Sequence, residues 1–147
     1  MIPKLLMVTT RYASALLLVG VISGSAGCNV GSQHAQVSGR QAFDVGNYSQ
    51  AINQFQQAFN RSPRDADALY NLAASYVQVG KQQRNSQYLS NAEQLYRQSI
   101  ANNPQHVAAH RGLSALLIET GREQYAFDLL KEWQTRHPQS AEPLIEL

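Results

Sequence analysis

His106 and His110 are four residues apart, the spacing that lets two imidazoles on one helix face share a metal ion. No cysteine or further histidine lies close by, and Glu119 is more than two helical turns beyond. His106 also falls at the start of a helical pattern. The pair therefore reads as packing or surface residues, and no metal site is expected. The chain has no Gly-rich phosphate loop, no GxSxG, no HExxH and no CxxC. The expectation is a protein that is not an enzyme and needs no cofactor.

The chain has 147 residues, enough for one domain. It holds 12 Lys+Arg and 10 Asp+Glu, and the excess comes from Lys4 and Arg11, ahead of Cys28. The part from Cys28 onward is neutral, which argues against nucleic acid, whose phosphates need a concentrated basic face. Glutamines such as Gln54, Gln56, Gln57, Gln82 and Gln83 give a polar, weakly charged surface.

The first 27 residues have another character. Basic residues come early, an apolar run follows from Ala13 to Ile22, and small residues precede Cys28. That is the layout of a secretory signal peptide, and the run falls short of the ~20 residues of a membrane-spanning helix. Ser25 to Cys28, "SAGC", resembles a bacterial lipobox, in which the cysteine is lipidated and becomes the new N-terminus. Ser25 stands where such motifs usually carry Leu, and Ser25 and Gly27 also suit an ordinary signal peptidase. Plain secretion and an uncleaved anchor stay as alternatives. The lone cysteine, placed where the apolar run ends, favours lipidation at Cys28. Asn29 follows it, where an Asp tends to retain lipoproteins at the inner membrane. The resemblance thus implies outer-membrane anchoring, facing the periplasm. Residues 28–34 read as the lipidated Cys and a polar tether, reaching ~20 Å if extended.

Residues 35–147 carry a repeating pattern. In "GNYSQAINQFQQAFNRSP", Tyr48, Ala51, Ile52, Phe55, Ala58 and Phe59 form one helical stripe between Gly46 and Pro63. Ala51, Ala92 and Ala126 are each followed four residues later by Phe55, Tyr96 or Leu130, and twelve later by Pro63, Pro104 or Pro138. Another helical pattern precedes each of these helices. Gly46, Gly80 and Gly121 sit where the first helix of each unit is expected to stop, since Gly tolerates the left-handed conformation. The prolines separate the units. Asp65 and Asp67 suit the positive end of the helix that follows.

These residues resemble the tetratricopeptide repeat, a helical hairpin of about 34 residues with small side chains where its helices pack. The resemblance implies an all-α, right-handed α-solenoid with units at 32–65, 66–106 and 107–140, and a short capping helix at 141–147. In that register His110 stands where the repeat packs a large residue inward. Ala35, Ser38 and Ala42 replace large residues in the first helix, which predicts weak packing there. The second unit is seven residues too long, around Lys81 to Gln87; either both of its helices gain a turn or a loop bulges.

The resemblance also implies a concave groove that binds a protein or peptide partner, lined by the first helices. Its positions fall on Gln36, Arg40, Phe43 and Asp44; on Asp67, Tyr70, Ala74, Val77 and Gln78; and on Ala108, Arg111, Ala115, Ile118 and Glu119. Phe43, Tyr70, Val77 and Ile118 would offer apolar contact, and Arg40 and Arg111 carboxylate or phosphate pairing. The carboxylate clamp of chaperone-binding members is not expected: Asn71 matches, but Gln36, Arg40, Ala108 and Gly112 do not. A lipid-anchored adaptor is thus the leading expectation, with a self-associating structural protein as the alternative.

Overall fold

The computed structural model describes residues 26–138. Residues 1–25, with most of the signal-peptide reading, and the capping helix at 141–147 lie outside them. The described residues form six helices and no strand: α1 (Ala26–Asp44), α2 (Tyr48–Arg61), α3 (Ala66–Gln83), α4 (Ser86–Asn102), α5 (Val107–Glu119) and α6 (Glu123–Arg136). They pair as three hairpins, α1/α2, α3/α4 and α5/α6. The fold is all-α, as the periodicity predicts.

The hairpin turns follow from backbone chemistry. Gly46 has φ +76° and Gly121 φ +73°, a conformation that costs other residues a clash at Cβ. Beside them Asn47 N donates to Ala42 O and Arg122 N to Leu117 O, closing the last turns of α1 and α5. At the units' junctions, Asp65 caps α3, its Oδ1 accepting from Asp67 N at 3.0 Å and Ala68 N at 3.2 Å.

Gly80 departs from expectation. Helix α3 runs through it to Gln83, and the left-handed residue is Arg84, with φ 51°. The seven extra residues therefore lengthen both helices, to 18 residues in α3 and 17 in α4, against 13 in α5 and 14 in α6. Gly80 is instead a contact point: a Cβ there would lie 2.7 Å from Leu89 Cδ2.

Two further expectations are corrected in α1. The segment read as an extended tether is helical from Ala26, so residues 28–34 rise by about 1.5 Å each rather than ~3.3 Å. Arg61 Nη1 donates to Gly31 O at 2.6 Å, which ties this end of α1 to α2. Nor is α1 weakly packed. Ser32, Ala35, Gly39 and Ala42 form a buried stripe along it. Small side chains here let α2 come close enough for Phe55, 1% exposed, to fill the space a larger residue would take.

The core runs the length of the stack. Ala42, Ala51, Phe55 and Leu72 join the first two hairpins. Ala73, Val77, Ala92, Tyr96, Leu113, Leu116, Leu117 and Ala126 join the second and third. Tyr76 and Leu95 pack against both groups and make them continuous. Burying a side chain such as Leu113 or Phe55 contributes on the order of 2 kcal/mol, and no single hairpin could bury these faces alone. Helix α1 touches α3 and α3 touches α5, whereas the backbones of α2, α4 and α6 stand apart from one another. That asymmetry curves the stack, with the first helix of each hairpin inside.

Candidate functional site

The inner face is built by α1, α3 and α5. Its apolar candidates are held to different degrees. Tyr70, half-buried on α3, has its ring centroid 5.9 Å from that of Tyr96 and 5.3 Å from that of His106. Phe43, also half-buried, meets Tyr48 edge-on at 5.1 Å. Ile118 packs partly buried on the second core group. Val77 is only 8% exposed and belongs to that core, so it supports the groove rather than lining it, contrary to expectation. Arg40 and Arg111 are exposed. Cys28 lies in α1, near its start.

Three groove positions are engaged in struts between hairpins. Gln36 Nε2 donates to Asp65 Oδ2 at 2.7 Å, from α1 to the cap of α3. Asp67 Oδ1 lies 3.0 Å from His106 Nε2, from α3 to α5. Glu119 pairs with Lys81 at 2.6 Å, again between α5 and α3. The polar residues of the inner face thus link neighbouring hairpins. Sequence reasoning missed these struts, because the partners are 29 to 39 residues apart. One signal existed: His106 follows Pro104 by two, as the cap Asp65 follows Pro63.

The two histidines have separate partners. His106 Nδ1 accepts from Ala109 N at 3.2 Å, capping α5. His110 Nε2 donates to Pro104 O at 3.1 Å, leaving its buried Nδ1 without a partner. Burial depresses the His110 pKa, outweighing the bond to Pro104, so the ring sits neutral in the core. Among the described residues no group of three or more His, Cys, Asp or Glu could hold a metal ion. Tyr96 is no candidate acid, because burial pushes its hydroxyl well above the usual range.

On the outer face, the gap between α2 and α4 leaves a shallow cleft of about 190 Å³. Leu72 and Tyr76 of α3 line it together with Phe59, Leu95 and the amides of Gln56 and Gln94. It carries no charge.

Comparison with known proteins fits this geometry. Residues 39–80 match the model of the TPR repeat and residues 82–141 that of the tetratricopeptide repeat. Together with the six-helix stack, these matches show that the chain carries tetratricopeptide repeats, and domains built of such repeats generally mediate protein–protein interactions. No curated protein matches the sequence. Among solved structures it is similar to the TPR2B domain of yeast Sti1, solved as a complex with pHsp70, with TM-score 0.66 and 18% identity over 76% of this chain and 83% of that one. The Arabidopsis OM64 TPR domain has TM-score 0.66 and 17% identity over 78% and 89%. The first TPR of Spaghetti (RPAP3), bound to the HSP90 peptide SRMEEVD, has TM-score 0.64 and 17% identity over 77% and 86%. At such identities the likeness is one of fold.

Proposed function

We propose that this protein is an adaptor that holds a peptide or helix of a partner against its inner face, anchored to the periplasmic side of a bacterial outer membrane through lipid on Cys28. The observation that carries the reading is the inner face itself. Helices α1, α3 and α5 stand side by side, with half-buried Phe43, Tyr70 and Ile118 among the exposed guanidinium groups of Arg40 and Arg111. Half-buried aromatics supply contact area at low entropic cost, and arginine supplies bidentate pairing with carboxylates. Two of the neighbours named above were solved as complexes, one with pHsp70 and one with an HSP90 peptide, which supports this mode of binding. The lipid anchor rests on the "SAGC" sequence and on the apolar run ahead of it. A partner in envelope, secretion or pilus-type assembly would suit that location.

The test is affinity capture from solubilised envelopes, with the native protein beside an Arg40→Glu, Arg111→Glu double variant. Both positions are exposed, and circular dichroism and the melting temperature check that the variant keeps its fold. A partner captured by the native form and lost with the variant supports the reading; equal capture by both places the contact elsewhere. Cys28→Ser should move the protein from the detergent phase to the aqueous phase.

Self-association is a second reading. Tyr125 and Phe127 on α6 are 67% and 59% exposed, large aromatic surface on the last described helix. Sedimentation at several concentrations separates the two, since a concentration-independent monomer removes self-association.

A further inference from the structure

We propose that His106 is a proton-operated latch between the second and third hairpins, closed when its ring is neutral. The residue is 9% exposed and uses both ring nitrogens for different tasks. The Ala109 N–H, shared with His106 O at 3.0 Å, points at Nδ1 at 3.2 Å. A nitrogen that accepts a hydrogen bond carries no proton, so the neutral ring bears its proton on Nε2 and donates it to Asp67 Oδ1 at 3.0 Å. One tautomer therefore caps α5 and fastens it to α3 at once.

Protonation breaks that arrangement. It places a hydrogen on Nδ1, facing the Ala109 N–H, and two donors cannot share the position. The ring must turn, leaving the Ala109 N–H only its bond to His106 O, or the first turn of α5 must open.

The titratable groups around the ring come from several helices. Asp67 is the anion facing the ring from α3, and the ring of Tyr70 on the same helix is tilted against it at 37°, with centroids 5.3 Å apart. From α4, Tyr96 reaches it only through Tyr70, and burial keeps that phenol neutral. On α5, His110 is electrostatically coupled to His106, and His137 and Glu132 beyond it act on His110. The latch does not depend on which partner the inner face takes.

The experiment is NMR of the full chain at pH 8 and pH 5.5, reading the imidazole nitrogens and the exchange protection of the Ala109 amide relative to that of Phe55. At pH 8 His106 should show the Nε2–H tautomer. On going to pH 5.5 the relative protection of Ala109 should fall roughly fivefold, the size of a lost N-cap. In His106→Asn, whose side chain caps without titrating, the fall should vanish; in His110→Phe it should persist. An Nδ1–H tautomer at pH 8, flat protection in the native chain, the same fall in His106→Asn, or its loss in His110→Phe would each overturn the proposal.

Discussion

The ring of Phe55 occupies the space that a side chain on Gly39 would fill: a Cβ there would lie 2.6 Å from Phe55 Cε1 and 2.9 Å from Cζ. Helices α1 and α2 meet at this point because one residue has no side chain and the other is large. Gly39→Ala sets two effects against each other. Alanine improves helix propensity by about 1 kcal/mol. Overpacking a fully buried ring costs about 1–3 kcal/mol. The expected net is a loss of about 1 kcal/mol in urea unfolding. Gly80→Ala should cost less than Gly39→Ala, because its closest contact, Leu89 Cδ2 at 2.7 Å, ends a flexible and half-buried side chain, although Leu89 Cγ and Tyr88 Cβ, both at 3.1 Å, must also give way.

Ser114 carries a buried hydroxyl with no hydrogen-bond partner. Such a group loses its bonds to water on folding and gains none. Ser114→Ala keeps the small volume and removes the orphan. The expected result is a stabilisation of up to about 1 kcal/mol, seen as a higher melting temperature. A lower one would show that the hydroxyl is satisfied in solution.

His110 should make stability depend on pH. Burial holds its pKa below the ordinary histidine value of 6.5, so the unfolded chain binds a proton that the folded chain refuses. Stability attributable to this residue is therefore complete above about pH 6.5 and falls as the pH drops below it, towards the folded pKa. His110→Phe should flatten that part of the melting-temperature profile. It strands no carbonyl, because Trp133 Nε1 also donates to Pro104 O, at 3.2 Å. An unchanged profile would assign the dependence to other groups.

Two ion-paired glutamates should behave differently. Glu93 takes Arg122 at 2.7 Å and Arg97 at 2.8 Å, and its side chain is 18% exposed. The Arg122 hydrogen bond, chiefly, holds its carboxyl below the usual range against the opposing effect of burial. Its contribution is present above about pH 4.5 and is lost as the pH falls further. Glu93→Gln should cost about 1 kcal/mol at neutral pH. Glu119, paired with Lys81 where both side chains are 44% exposed, should cost less than about 0.5 kcal/mol as Glu119→Gln. Chemical denaturation of the two variants in low and high salt checks the contrast.

What the sequence by itself determined is local. The stripe from Tyr48 to Phe59, the glycines at 46 and 121, and the acid at Asp65 specify helices, stops and a cap through neighbours within a few residues. The register that the tetratricopeptide resemblance implies then gives three hairpins, because each amphipathic unit needs the next to cover it. Tertiary structure decided whatever depends on partners far along the chain. The small residues of α1 read as a weakness until Phe55 supplies the volume they leave. Gly80 reads as a stop until Leu89 shows it to be a contact, with the turn moved to Arg84. Val77 reads as groove lining until the core it shares with Leu113 and Leu117 on α5 encloses it. Asp67 and His106 read as an acid near a helix start and half of a histidine pair until the stacking of α5 on α3 joins them. In each case the deciding contact joins two different helices, and local periodicity carries no information about which side chain will stand opposite.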